Sequence, residues 1–157
     1  MLSRADRLGR AVRDHPVVIE ARAGHRCDGG VHSYLGDGRV VCWDVPAPDA
    51  GRRGTDPDGW LGVAVDAEIR GHTPSPHVVA RWGLETTAPE QFWEMWCATE
   101  VLAKLADVPM VLLARQGPVI SGPVRRGQLE VHWVARHVGD VVVAHGMAWA
   151  TTTRDVT

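Results

Sequence analysis

Asp66 and Glu68 stand two residues apart in Trp60–Ile69 (WLGVAVDAEI), a segment whose apolar start and alternating end read as a β-strand. Alternation puts both acids on one face, with Val65 and Ala67 on the other. Two carboxylates that close repel each other unless a proton or a cation lies between them. Hard divalent cations such as Mg²⁺ bind through one or two carboxylates together with water and phosphate oxygens. A strand edge charged to discourage edge-to-edge pairing has the same sequence pattern. Metal chemistry and a solvated edge both stand at this point.

A second pair, Glu100 and Lys104, lies four residues apart in a helical pattern. That spacing puts them on one helix face, where an ion pair contributes about 0.2–0.5 kcal/mol. Lys104 is the single Lys among 17 basic residues, the rest being Arg. Ammonium and guanidinium groups are not interchangeable, so a retained Lys hints that a point charge is wanted there. Trp93 and Trp96, spaced i, i+3 on the same helix, read as core. If that Trp face packs on the sheet, Glu100 comes over the Asp66/Glu68 strand, and three carboxylates meet one ammonium.

Other side chains offer less. His32 reads as a turn residue before a strand (GGVHSYLGDG), able to hold a phosphate oxygen or simply exposed. His72, His77, His132, His137 and His145 lack zinc-ligand spacing and read as structural or solvated. Cys27, Cys42 and Cys97 are odd in number and form no C-x-x-C, so reduced thiols are expected. No G-x-S-x-G, P-loop or G-x-G-x-x-G occurs.

The elements that must position these residues follow from periodicity and turn signals. Residues 2–14 read as an amphipathic helix ended before Pro16. Residues 16–21 and 39–45 read as strands, and turns at 27–30 and 35–38 bracket 31–34. Residues 46–59 hold three Pro and three Gly and read as a long exposed loop, and 71–77 as a Pro-rich turn. The strongest helix spans Pro89 to Asp107, with Thr87 and Glu90 in capping-box spacing. Leu129–Arg136 and Val141–Trp149 flank a Val-Gly-Asp turn and predict a closing hairpin. The order implies one α+β domain over residues 1–157, with a mainly antiparallel sheet packed by one long helix.

Composition sets the outer bounds. The chain has 157 residues, 45% hydrophobic and 23% charged, with a formal net charge of -2. Those values exclude a wholly disordered chain, and the charge balance argues against a general nucleic-acid binder. No apolar run has membrane-helix length, so no membrane partner is expected. Residues 1–14 carry no signal-peptide core, and the expected location is cytoplasmic.

Several segments together resemble one family. Trp96-Cys97-x-Thr99-Glu100-Val101-x-x-Lys104 resembles the W-[ST/C]-x-K-E-[AS]-x-x-K helix motif of 4′-phosphopantetheinyl transferases. Val63–Glu68 is similar to their (I/V)-G-(I/V)-D-(I/V)-E strand, and His32-Ser33 with Arg39–Cys42 to their S-H-S turn and following strand. Phe92 and Arg81-Trp82 also fall where the Sfp-type subfamily has F-x-x-x-W and an R-F-F-x-x-E segment. The resemblance covers roughly residues 28–150, in order and spacing. The chain departs at Val31, Ala64, Thr99 and Val101, and lacks most of the N-terminal half of Sfp-type enzymes.

The resemblance implies a single transferase-like lobe that moves 4′-phosphopantetheine from coenzyme A to a serine of an acyl or peptidyl carrier protein. It implies Mg²⁺ held by Asp66, Glu68 and Glu100. Glu100 would take the serine proton, Lys104 would neutralise phosphate oxygens, and His32 would hold a phosphate of the coenzyme. Either residues 1–30 would form a reduced second wall of the coenzyme cleft or a second subunit would supply it, and a homo-oligomer is expected. The departures point instead to a non-catalytic relative that binds carrier protein or coenzyme. A small α+β ligand-binding protein with coincidental motifs is a third reading.

Overall fold

The computed structural model describes residues 2–27, 29–46, 59–84, 87–119 and 122–151. Helix α1 (Arg4–Asp14) starts at a capping box: Ser3 Oγ accepts from Asp6 N–H at 3.1 Å, while the Asp6 carboxylate accepts from Ser3 N–H at 3.2 Å. Leu8 and Val12, four apart, form its buried stripe. Strands β1 (Val18–Ala21), β2 (Val31–Tyr34) and β3 (Arg39–Trp43) form an antiparallel sheet in the order β1-β3-β2. His32 therefore lies within a strand, paired with Cys42, and not in a turn. The β2–β3 connection closes at Gly38, whose φ of 87° needs a residue without a Cβ.

Strands β4 (Gly62–Ile69), β5 (Val124–Arg126), β6 (Leu129–Val138) and β7 (Val141–Ala150) form a second antiparallel sheet, ordered β4-β7-β6-β5. The expected closing hairpin is β6–β7, in register from Leu129↔Ala150 to Val138↔Val141 around Gly139-Asp140. The architecture is α+β, with two antiparallel sheets where one was expected. The loop expectation for 46–59 falls largely outside the described residues.

The second sheet is covered on both faces. Val65 and Ala67 of β4, with Val143, Met147 and Trp149 of β7, pack against Val41 and Trp43 of the first sheet and Leu8 and Val12 of α1. The opposite face, Ala64 with Val142 and Ala144, meets Cys97 and Val101 of helix α3 (Pro89–Ala106). Parity in β4 thus decides the site: residues in step with Ala64, which are Asp66 and Glu68, lie on the α3 face.

Helix α3 begins at Ala88, with no side-chain cap. Thr87 spends its N–H on Leu84 O instead of opening the helix, so the expected capping box is not formed. Its last turn ends in left-handed Asp107, before Pro109. Two short helices escape the sequence pattern: α2 (Pro76–Arg81), in the stretch expected to be a Pro-rich turn, and α4 (Met110–Ala114). Trp82 after α2 stacks on Trp96 with ring centroids 5.3 Å apart and donates its indole N–H to Ala114 O at 3.0 Å, tying α2, α3 and α4 together.

Cys27 and Cys42 are joined as a disulfide, against the expectation of reduced thiols. The cause is topological: Cys42 lies on β3 beside β2, and the turn leading into β2 brings Cys27 back to it. Cys97 is free and buried. Among the described residues no helix is long and apolar enough to cross a membrane.

Candidate functional site

The acids and Lys104 meet at the free edge of β4, under α3. Asp66 is buried, and its Oδ1 accepts from Lys104 Nζ at 2.7 Å and from Ser33 Oγ at 3.1 Å. Lys104 Nζ also donates to Val65 O at 2.9 Å. Ser33, on the edge strand β2 of the other sheet, accepts in turn from Ala67 N–H at 3.2 Å. One hydroxyl therefore joins the two sheets and orients the carboxylate. Sequence reasoning assigned Ser33 no role, and its only signal was its place next to His32 in the turn motif.

Lys104 does not pair with Glu100 along the helix, as its i, i+4 spacing suggested. Its long side chain reaches across to β4, where a desolvated carboxylate attracts it more strongly than a half-exposed one.

Glu68 and Glu100 complete the cluster electrostatically. Burial, with the charges of Asp66 and Glu100 adding, pushes the Glu68 carboxyl up to about 7. Burial and Asp66 also raise Glu100, against a lowering pull from Lys104. Beneath them, burial holds the Cys97 thiol protonated, reinforced by Asp66 and Glu68. Glu68 and Glu100 thus both feel the Asp66 charge, while the Lys104 ammonium is bonded to Asp66 and acts on Glu100. Among the described residues, Asp66, Glu68 and Glu100 do not bring three ligand atoms within 4.8 Å of one another. The donor set is nevertheless all oxygen and short of positive charge, which fits a hard divalent cation.

His32 stands on the other side of Lys104. Both line an open pocket of about 280 Å³ with Gly30, Val63, Ala64 and Val65. His32 is exposed and packs edge-on against Tyr34, ring centroids 5.1 Å apart. On the far side of Lys104 a second depression is lined by Glu100, Asp107 and Met110. Lys104 lines both. Thr99 is fully buried, donating to Met95 O at 2.7 Å and accepting from Val119 N–H at 3.0 Å, so it braces the helix and does not face the acids.

Comparison with known proteins gives no match: no family model, no curated protein and no solved structure. Function rests on the site itself.

The raised Glu68 carboxyl makes the cluster's pH dependence testable. Its pKa in the fold exceeds the ordinary 4.5, so its contribution to stability is whole below 4.5 and is lost as pH rises through about 7. The full shift would correspond to about 3 kcal/mol, and solvent at this half-buried side chain screens part of it. Glu68→Gln, which cannot ionise, is expected to raise the melting temperature over the parent at pH 8 and to give no gain at pH 4.5. Equal shifts at both pH values would place this carboxylate in open solvent.

Proposed function

We propose that this protein transfers the 4′-phosphopantetheine arm of coenzyme A to a serine of an acyl or peptidyl carrier protein. The observation that carries the reading is the convergence of Asp66, Glu68, Glu100 and Lys104 at one sheet edge, from two motifs more than thirty residues apart. Bound Mg²⁺ would supply the positive charge that a pyrophosphate and three carboxylates together require. Asp66, oriented by Ser33, and Glu68 would hold it from the strand, and Glu100 from the helix.

Glu100 is also the base for the acceptor serine. It takes that proton directly or through a metal-bound water. Lys104 lines both depressions and offsets charge on the departing 3′,5′-ADP. His32, across the same pocket, holds a phosphate of the coenzyme. In this reading a second copy of the chain closes the coenzyme cleft as a homo-oligomer, the usual assembly being a symmetric dimer.

A second reading, a non-catalytic relative that binds coenzyme or carrier protein, is favoured by one observation. Thr99 stands where the family motif has its first basic residue, and its buried hydroxyl is committed to the backbone. One experiment separates the two. Apo carrier protein incubated with this protein, coenzyme A and Mg²⁺ gains the mass of the phosphopantetheine arm if the chain is the transferase. Unchanged carrier mass would leave only the binding reading.

A further inference from the structure

His25, Cys27 and Cys42 meet where the turn after β1 returns to the β2–β3 hairpin. One potential ligand atom from each lies within 4.8 Å of the other two. Around a tetrahedral zinc ion, with Zn–S of about 2.3 Å and Zn–N of about 2.0 Å, ligand atoms stand about 3.5–3.8 Å apart. The two sulfurs are bonded to each other in this structure and part to that spacing once reduced, with the imidazole already beside them. Gly30 keeps the space clear: a Cβ there would come 2.6 Å from Cys27 Sγ and 3.1 Å from Cys42 Sγ.

The imidazole is the informative member. The His25 side chain is only 9% exposed, and its Nδ1 is held by the Glu20 carboxylate. Its Nε2 is buried and has no hydrogen-bond partner among the described residues. A buried polar atom without a partner costs stability. A carboxylate on one ring nitrogen, with the other left free, is how metal-ligating histidines are oriented.

We propose that His25, Cys27 and Cys42 form a site for a thiophilic divalent cation of the zinc class, open while the two sulfurs are thiols and closed when they join. Opening needs a dithiol reductant. It delivers two electrons and two protons, the Cys27–Cys42 bond becomes two thiols, and the reductant leaves as its own disulfide. On metal binding two sulfur–metal bonds form, two thiol protons pass to solvent, and His25 Nε2 donates a lone pair. Water takes the fourth position, as in other sites with three protein ligands. The site neighbours β2, since Cys42 pairs with His32, yet it shares no ligand with the carboxylate cluster.

The test uses the full chain, reduced by a dithiol and freed of it without air, then titrated with Co²⁺ and competed with Zn²⁺. The reduced chain is expected to take one more Co²⁺ than the oxidised chain, with thiolate-to-cobalt charge-transfer absorption that Zn²⁺ abolishes and that the oxidised chain lacks. His25→Ala and Cys42→Ser are expected to weaken zinc binding by at least about tenfold, and Glu20→Gln by roughly tenfold. A reduced parent that binds no more metal than the oxidised parent would overturn the proposal, and that comparison needs no variant to fold. Metal content and thiol state are read without any transfer activity, so the outcome is independent of the function proposed above.

Discussion

Lys104→Met is expected to lose stability and transfer together. The Lys104 ammonium lies 2.7 Å from the carboxylate of Asp66, whose side chain is 9% exposed, so its removal leaves a buried charge held only by neutral groups, the Ser33 hydroxyl and the Cys97 thiol. Breaking a fully buried pair costs about 3–5 kcal/mol, because the orphaned charge stays desolvated. Lys104 itself is 38% exposed, and solvent screens part of the interaction. A loss of about 2 kcal/mol is the balance of those two effects. In a chain of this size that lowers the melting temperature by roughly 4–8 °C. Asp66→Asn combined with Lys104→Met removes both charges and should recover most of the loss, the mark of coupled neighbours. Turnover should fall by about a hundredfold or more, the scale of removing one fixed stabiliser of transition-state charge. A single variant as stable as its parent would show that the pair is fully screened.

Gly146→Ala is expected to do at least as much damage without touching a charged group. Gly146 lies on β7 beneath α3, opposite Ala64 of β4. A Cβ there would come 2.2 Å from Val101 Cγ1 and 3.1 Å from Leu105 Cδ1. Val101 is fully buried, and a β-branched side chain in a helix has one favoured rotamer, so it cannot turn away. The helix must then lift from the sheet, at a cost of about 1–3 kcal/mol or more. The same displacement carries Glu100 and Lys104 away from β4, so transfer should fall along with stability. Val101→Ala opens the missing space, and the double variant should regain much of both. Chemical denaturation of the four proteins measures this directly; an unaltered Gly146→Ala single variant would mean the helix does not rest on this glycine.

What the chain discloses in advance differs from element to element. The β6–β7 hairpin and α3 announce themselves because their apolar periods run long enough to outweigh local noise. Helices α2 and α4, six and five residues long, carry too few turns for a period, and Pro76 and Pro109 at their starts read as breakers. The shared face of Asp66 and Glu68 follows from strand alternation alone. The partner of Lys104 does not: sequence spacing offers Glu100, and only the packing of α3 on β4 reveals that Asp66 is nearer and more desolvated. The His25–Cys27–Cys42 group is hidden for the same reason. His25-Arg26-Cys27 is a local H-x-C, but its third member arrives through the pairing of β2 with β3, and no local spacing encodes that.

The proposed binding of the coenzyme A pyrophosphate by the acids and Lys104 under α3, together with a divalent cation, can be tested before any acceptor is known. Calorimetric titration of coenzyme A into the protein, with and without Mg²⁺, measures it on the parent and on Asp66→Asn. The expected result is saturable binding that requires Mg²⁺ and is lost in Asp66→Asn, with that variant still folded by circular dichroism. Binding that ignores both Mg²⁺ and Asp66, or no binding to the folded parent at all, would contradict it.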